Sequence, residues 1–532
     1  MAVNSERTIG GLVRSCAARY GERPFLYFEE RVFSFAELDR SSDRVAKGLQ
    51  GLGIGKGQKV GLMMSNKPEF LLSWFGLAKI GAVEVPINTG HRGYLLTYML
   101  DTSDCVSLII DAPLLDHLNE VLKDLPKLVD IIVVGAGLTV VPAHLLPKSP
   151  EERRWHRWQD VVSNDGRMAA VEVSWNDPFT IMFTSGTTGP SKGSVMPHNY
   201  AWTTGETMIR AGGYTEGDCL YNVLPLFHGN AQVLQTIPAM IAGARMVLRD
   251  HFSASAFWGD VRRYGCTIFN YLGTILSVLM KAEPSEDDRD HGLRAMVGAG
   301  CGGELFTAVE KRFGVPLIES YGMSEIGMPL TSTPSCRKPG SCGRVSQHFD
   351  ILLVDDDMRS VGPNTRGELL VRPKQPLAML LGYYGMPEKT VEAWQDLWFH
   401  TGDYLQCDEE GFYTFVDRKK DAIRRRGENI SSFELERSVA GHPDVLECAA
   451  IPVPSELGED EAMVCVVLRP GVDLTPVALA KWCELHMAAF MVPRFFRFMA
   501  ALPKTPTQRV EKFRLREQGV TGESWDRGDG RR

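Results

Sequence analysis

The sequence predicts an α/β fold. It reads as a large N-terminal domain of layered, mostly parallel sheets with helices, a β-rich subdomain, and a small α+β C-terminal domain. Three observations carry this. Short β-branched runs alternate with helical patterns over residues 9–135 and again from 199 to 319, the spacing of repeated strand–helix units. A Gly- and Thr-rich turn with one lysine, TSGTTGPSKG at 184–193, follows the apolar run 178–183 directly. The composition is 44% apolar and 23% charged over 532 residues, which is ordinary and long enough for more than one core.

Taken in order, Ser34 with Glu37 marks the start of a helix that stops near Gly51–Gly53. Residues 59–64, 82–87, 106–111 and 129–135 read as strands, and 68–80 as an apolar helix. Residues 136–175 have weaker periodicity and more Pro, Arg and Trp, and read as a loop-rich connection. Beyond the glycine-rich turn come a helix at 199–211 and strands at 219–224, 245–248, 267–271, 295–297 and 317–319. From 340 to 416 the pattern is β-rich, and Asp355–Asp357 reads as a solvated hairpin turn, not a metal site. A boundary falls near DRKKDAIRRRG, residues 417–427. The following module, with Ser431 and Glu434 at a helix start, has the size of a small domain. The polar, Gly-rich tail 519–532 reads as disordered.

The net charge of −8 argues against nucleic acid as the main partner. Eleven scattered cysteines without a CxxC pair fit a reduced, cytoplasmic protein. The N-terminus has no apolar signal core. No apolar run reaches the roughly 20 residues of a membrane helix; the best candidate, 70–87, is interrupted by Lys79 and Glu84.

Six stretches could carry chemistry. The glycines of 184–193 admit backbone shapes closed to other residues, and four hydroxyls and Lys192 supply donors, a combination suited to phosphate oxygens. It is not the Walker A pattern, which needs glycine where this chain has Ser191. LPLFHGNAQ, 224–232, places Phe227 and His228 at a strand's C-terminal end, where open α/β sheets bind ligands. GAGCGG, 298–303, fits GxGxxG, but Glu319 comes early for a dinucleotide-binding acid, so small residues making room for a ligand is the better reading. YGMSE, 321–325, offers a flat ring, a hydroxyl and a hard carboxylate ligand. WFHTGD ends in Asp403, which could accept from vicinal hydroxyls. The basic run Lys419, Lys420, Arg424, Arg425 and Arg426 is a solvated face or a means of steering an anionic cofactor.

Together these stretches resemble the AMP-forming acyl-CoA synthetases, the adenylate-forming enzymes, from about Phe33 to about Arg516. The carnitine/crotonobetaine-CoA ligase type is the most similar. The family form TSGTTGxPKG appears with its proline one place early, and YGMTE appears with Ser324 for threonine. The resemblance implies an acid–thiol ligase using ATP, Mg²⁺ and coenzyme A, with an N-terminal domain 1–417, a hinge 418–420 and a mobile C-terminal domain 421–518. It implies that Thr184, Ser185, Gly186, Thr187, Thr188, Gly189, Lys192, Gly303, Glu304, Tyr321, Gly322 and Ser324 hold ATP. Asp403 and Arg418 would hold its ribose, and Glu325 the metal. His228 becomes a wall and gate beside the carboxylate. Phe227, His228, Asn230, Gln232, Asn270, Tyr271, Thr274, Gly300, Met323 and Met328 would line the acyl pocket, whose polar members favour a short or medium acid with a polar substituent. Lys420 resembles the hinge pivot, and Gly427 the glycine that passes pantetheine.

The departure is at PKTPTQRVEK, 503–512, where the family expects PKTxxGK. Gln508 replaces the glycine and Arg509 the catalytic lysine; Arg509 keeps the charge in a planar fork, and Lys512 is the other candidate. The alternatives are an adenylating enzyme with a carrier-protein or other acceptor, and a catalytically silent nucleotide-binding protein. The acid and the oligomeric state stay open, a homodimer among the options.

Overall fold

The computed structural model describes residues 6–135, 153–184, 191–418, 422–456, 458–504 and 510–528. Its contacts define two units: residues 1–89, 99–182 and 193–417 in the first, and 90–98, 183–192 and 418–532 in the second.

The first unit is built on β1 (Pro24–Phe28), β2 (Arg31–Ser34), β3 (Lys59–Met63), β4 (Val83–Pro86), β5 (Cys105–Asp111), β6 (Asp130–Val134), β7 (Arg154–Arg157), β8 (Pro178–Thr184), β9 (Lys192–Pro197), β10 (Cys219–Asn222) and β11 (Arg245–Leu248). It continues through β12 (Ile268–Leu272), β13 (Ala295–Ala299), β14 (Leu317–Met323), β15 (Gly327–Thr331), β16 (Arg344–Val345), β17 (Phe349–Val354), β18 (Arg366–Pro373), β19 (Gly382–Tyr383), β20 (Trp394–Gln395), β21 (Trp398–Cys407) and β22 (Tyr413–Arg418). One sheet has eight strands in the order β19-β9-β8-β4-β3-β5-β6-β7. Another has nine, β16-β15-β14-β13-β12-β10-β11-β1-β2. A five-stranded sheet of β17, β18, β20, β21 and β22 forms the β-rich part.

Helices fill the space beside these sheets. In α1 (Phe35–Gly51), the Ser34 hydroxyl accepts from the Glu37 N–H at 3.0 Å, as the local sequence predicts. All but one residue of α2 (Pro68–Lys79) are buried, because its apolar residues occupy every side. Lys79 enters this core only by pairing with Asp39 and Asp43, each at 2.6 Å.

The second unit holds the hairpin β23 (Ala422–Arg425)–β24 (Glu428–Ser431), α3 (Ser432–Ala440), β25 (Val445–Pro454), β26 (Asp460–Leu468), β27 (Phe495–Phe498), α4 (Lys512–Gln518) and β28 (Trp525–Asp526). Its main sheet runs β25-β26-β27-β28.

Two sequence expectations need correction. The connection 136–175 contains a strand, β7, paired in parallel with β6; Asp130 secures the start of β7 by accepting from Arg154 and His156, each at 2.8 Å. The polar composition hid this cross-strand pairing. The tail is not disordered throughout either: Trp525 pairs with Phe496 in register and packs on its ring. One aromatic residue and the Asp526–Arg494 ion pair anchor an otherwise polar segment. The Asp355 turn is as expected, its carboxylate accepting from the N–H groups of Asp357 and Arg359. Among the described residues no cluster of three or more His, Cys, Asp or Glu could hold a metal.

Candidate active site

Strand order assembles the candidate site. β10, β12, β13 and β14 are neighbours in one sheet and run parallel. Their C-terminal ends therefore lie side by side, and the segments that follow or close them are LPLFHGNAQ, the Gly273 turn, GAGCGG and YGMSE. Motifs separated by up to about a hundred residues in sequence meet at one sheet edge, the usual ligand edge of such sheets.

The LPLFHGNAQ loop is pinned from outside its own sequence. Asn66 donates to Leu224 O at 2.9 Å and accepts from the Leu226 N–H at 2.7 Å. Gln232 donates to Leu226 O at 2.8 Å. Between these anchors and the helical turn Gly229–Ala231 sit Phe227 and His228, both half-buried, with ring centroids 4.9 Å apart. The Gln235 amide donates to Asn230.

The expected polar points of the acyl pocket are largely used internally. Gln232 is fully buried. Asn270 is buried, accepting from Tyr214 and donating to Leu234 O, each at 3.3 Å. Tyr271 is fully buried and its hydroxyl donates to Glu319. The lean towards a polar-substituted acid thus keeps Asn230 as its main support. Thr274 and Met328 are buried, and Met323 is half-buried.

Glu319, which fits no dinucleotide role, has a structural one. It also accepts from the Cys301 N–H at 3.1 Å, tying the GAGCGG turn to β12. Close approach explains two of the glycines. A Cβ on Gly298 would stand 2.3 Å from Tyr271 O, and one on Gly273 would stand 1.9 Å from Gly300 O. Gly300 itself has φ +81°, a left-handed shape that favours glycine. Gly303 and the exposed Glu304 open the helix Gly303–Phe313.

Three predicted or neighbouring residues come together around Tyr321. Its hydroxyl donates to Asp403 Oδ2 at 2.7 Å in a buried contact. Its ring is inclined 27° to that of Phe415, with centroids 6.5 Å apart. Two aromatic rings thus stand beside a carboxylate, a set of groups suited to a purine nucleoside. Gly322 is exposed and Ser324 half-buried. A side chain at Gly322 would meet Gly327 O, so the chain doubles back there. Glu325 is buried, and Oε1 accepts from the Tyr383 hydroxyl at 3.1 Å. Burial first, and then the Glu325 carboxylate, push the Tyr383 hydroxyl upward in pKa, so it stays a donor.

At the glycine-rich turn, Thr184 closes β8 and Lys192 opens β9, and the Thr184 hydroxyl donates to Lys192 O at 3.4 Å. Ser185, Gly186, Thr187, Thr188 and Gly189 lie outside the described residues, as do Lys420 and Arg509. Arg418 ends β22.

In the second unit Lys512 begins α4, pairs with Glu436 at 2.7 Å and donates to Ser432 at 2.9 Å. Its charge is engaged within its own domain. Arg425 does not steer a cofactor: it is buried against Glu461 and donates to the carbonyls of Phe490 and Val492. Arg426 and Gly427 both have positive φ, 53° and 81°, and form the two-residue hairpin turn between β23 and β24. The Gly427 N–H donates to Glu459 at 2.9 Å, and burial raises that carboxyl's pKa.

Sequence reasoning missed Asn66, Phe415 and Tyr383. Asn66 and Tyr383 come from strand ends in the eight-stranded sheet, and Phe415 from the β-rich part; no motif marks their distance from the site. The aromatic run around 412–415 is the one signal that could have suggested Phe415.

The family model described as AMP-binding enzyme matches residues 13–384, and that of the AMP-binding enzyme C-terminal domain matches 434–509. The crotonobetaine/carnitine–CoA ligase of Salmonella paratyphi B is 31% identical over 512 residues, covering 94% of this chain and 97% of the relative. The solved anthranilate CoA ligase AuaEII in complex with anthranoyl-AMP is 26% identical, with a TM-score of 0.72, covering 96% of this chain and 97% of its own. The o-succinylbenzoate CoA synthetase MenE of Bacillus subtilis shares the fold at 22% identity and a TM-score of 0.82, covering 97% of this chain and 99% of its own. The chain belongs to the AMP-binding enzyme family and is an AMP-forming acyl-CoA synthetase, a ligase. Among the described residues, no helix is long and apolar enough to cross a membrane.

Proposed function

We propose that this ligase activates a short- or medium-chain carboxylic acid in two half-reactions. The acid's carboxylate attacks the α-phosphate of ATP, forming acyl-AMP and releasing pyrophosphate. The thiol of coenzyme A then attacks the acyl carbon and AMP departs. The Tyr321–Asp403–Phe415 arrangement carries the reading, because it offers one nucleoside a stacking face and a hydroxyl acceptor at the ligand edge of the sheet. The bond from Tyr321 orients the Asp403 carboxylate at the rim of that face.

The difficulty of the first step is electrostatic, since an anion must approach a polyanion. Lys192 and the donors of the 184–193 turn reduce that repulsion at the phosphates, and Arg509 supplies the cation at the carboxylate. Lys512 is the weaker candidate, because its ammonium is engaged with Glu436. His228 walls the approach of the acid. Glu325 fits Mg²⁺ as a single buried carboxylate held by Tyr383; Mg²⁺ takes few protein ligands when phosphates supply the rest. Bound there, the ion would neutralise phosphate charge. A pivot at Lys420 would exchange the C-terminal surfaces facing the site, so that the turn at Gly427 serves the thiol step.

ATP–pyrophosphate exchange against a panel of carboxylic acids tests the first half, and AMP release with coenzyme A or a carrier-protein thiol tests the second. Exchange with an acid, and AMP release driven by coenzyme A, are the expected results. Absence of exchange with every acid removes the adenylation reading.

A further inference from the structure

Glu84 on β4 has no exposed surface. It pairs in register with Thr180 of β8, and it lies within hydrogen-bonding reach of Thr180 and Gln232. Yet Glu84 Oε1 and Oε2, Thr180 Oγ1 and Gln232 Oε1 are all buried without a hydrogen-bond partner. Among the described residues no charged group acts on the carboxyl: its strand neighbour on β3 is Val60, and its polar neighbours are those two neutral side chains. Unpaired buried polar atoms are costly, so four in one place call for an explanation.

Turning the Gln232 amide does not resolve the conflict. Its Nε2 donates to Leu226 O at 2.8 Å, and reversal would set oxygen against that carbonyl. Gln232 therefore offers Glu84 an acceptor. A carboxylate, an amide oxygen and one hydroxyl cannot all be satisfied, but a carboxylic acid completes the set. Glu84 O–H donates to Gln232 Oε1, and the Thr180 hydroxyl donates to the other Glu84 oxygen. Burial acts in the same direction, raising this carboxyl well above the usual range.

The consequence reaches the acyl site. Gln232 and Asn66 hold the two sides of Leu226, and Leu226 leads directly into Phe227 and His228. The loop that presents His228 therefore rests on Gln232, and Gln232 rests on Glu84. We propose that Glu84 is a positioning residue for acid binding, working as a neutral, proton-bearing carboxyl that fixes the Leu226–His228 loop through Gln232. Its effect on the acid rests on the adenylation reading above; its protonation does not.

Two substitutions separate this from a merely structural role. Glu84→Gln keeps a donor and an acceptor in the same place, whereas Glu84→Leu removes both. In the exchange reaction the Gln variant should stay within about twofold of the unsubstituted enzyme. The Leu variant should raise KM for the acid about tenfold and leave KM for ATP unmoved. A Leu variant with a lower melting temperature but an unchanged acid KM overturns the proposal, as does a Gln variant as impaired as the Leu one. A second readout needs no turnover. The infrared difference between the unsubstituted protein and Glu84→Gln at neutral pH should contain the carbonyl stretch of a protonated carboxyl; carboxylate bands instead overturn the proposal. If the unsubstituted enzyme exchanges with no acid, the adenylation reading and the acid-binding role fail together, and the infrared result still decides whether Glu84 carries its proton.

Discussion

The cation proposed to meet the reacting carboxylate is the point at which the sequence departs from the PKTxxGK motif. Arg509 has the expected position and Lys512 an already occupied ammonium. Alanine at Lys192 or Arg509 should lower exchange by roughly a hundredfold, the usual effect of removing one preorganised donor. Alanine at Lys512 should leave exchange within a few-fold and lower the melting temperature instead, since it leaves Glu436 unpaired. Equal loss in all three variants would show that the Lys512–Glu436 pair opens during adenylation. Asp403→Asn should raise KM for ATP while the acid's KM holds, because the substitution weakens acceptance from Tyr321 and from a ribose hydroxyl. An unmoved ATP KM would place the nucleoside elsewhere.

Elements were legible where periodicity was strong. The strands leading to each motif and the Ser34 helix start were all visible in the sequence, because a buried strand or a capped helix leaves a local pattern. What lies between elements was not. The glycines of 298–303 read as room for a ligand, yet Gly298 is also required by the Tyr271 carbonyl of β12, and the Gly300 carbonyl in turn requires Gly273. Gly298→Ala should therefore destabilise the protein by roughly 1–3 kcal/mol, the range for overpacking, even without nucleotide; unchanged denaturant unfolding contradicts the packing account. The anchoring roles of Glu319 and Asn66 were likewise invisible, because each acts across long sequence separation. Electrostatics at the sheet's other edge gives a pH test. Burial alone would raise the Asp218 carboxyl, but Arg294, Thr267 and Thr215 outweigh it and hold its pKa below the usual range. A depressed folded pKa contributes stability that is full above the unfolded value, about 4, and is lost as pH falls through the folded one. Asp218→Asn should cost roughly 1–3 kcal/mol at neutral pH and progressively less below about pH 4. A cost that does not change with pH contradicts this.

At the scale of the whole molecule, the proposal assigns two kinds of work to two compact units. The first unit holds the residues proposed for the nucleoside and the acid, and the second holds Lys512 at the start of α4 and the Gly427 turn of the β23–β24 hairpin. The family could be read from motifs because each motif is short and contiguous. The acid could not, because the polar groups expected to line its pocket are mostly engaged by other side chains and by backbone carbonyls. If the Gly427 turn serves only the thiol step, Gly427→Leu should leave exchange nearly intact and slow thioester formation at least tenfold. The roughly 1–2 kcal/mol of left-handed strain at its φ of +81° would appear separately, as a lower melting temperature. Parallel loss of both half-reactions would contradict the division of labour.

The most direct test of the central claim is isotope exchange between pyrophosphate and ATP, measured with carboxylic acids and without coenzyme A. Exchange that requires an acid and needs no thiol is the predicted result, since acyl-AMP then forms reversibly before any thiol arrives. AMP release only when acid, ATP and thiol are present together, with no exchange in the thiol's absence, would contradict a separate adenylation step.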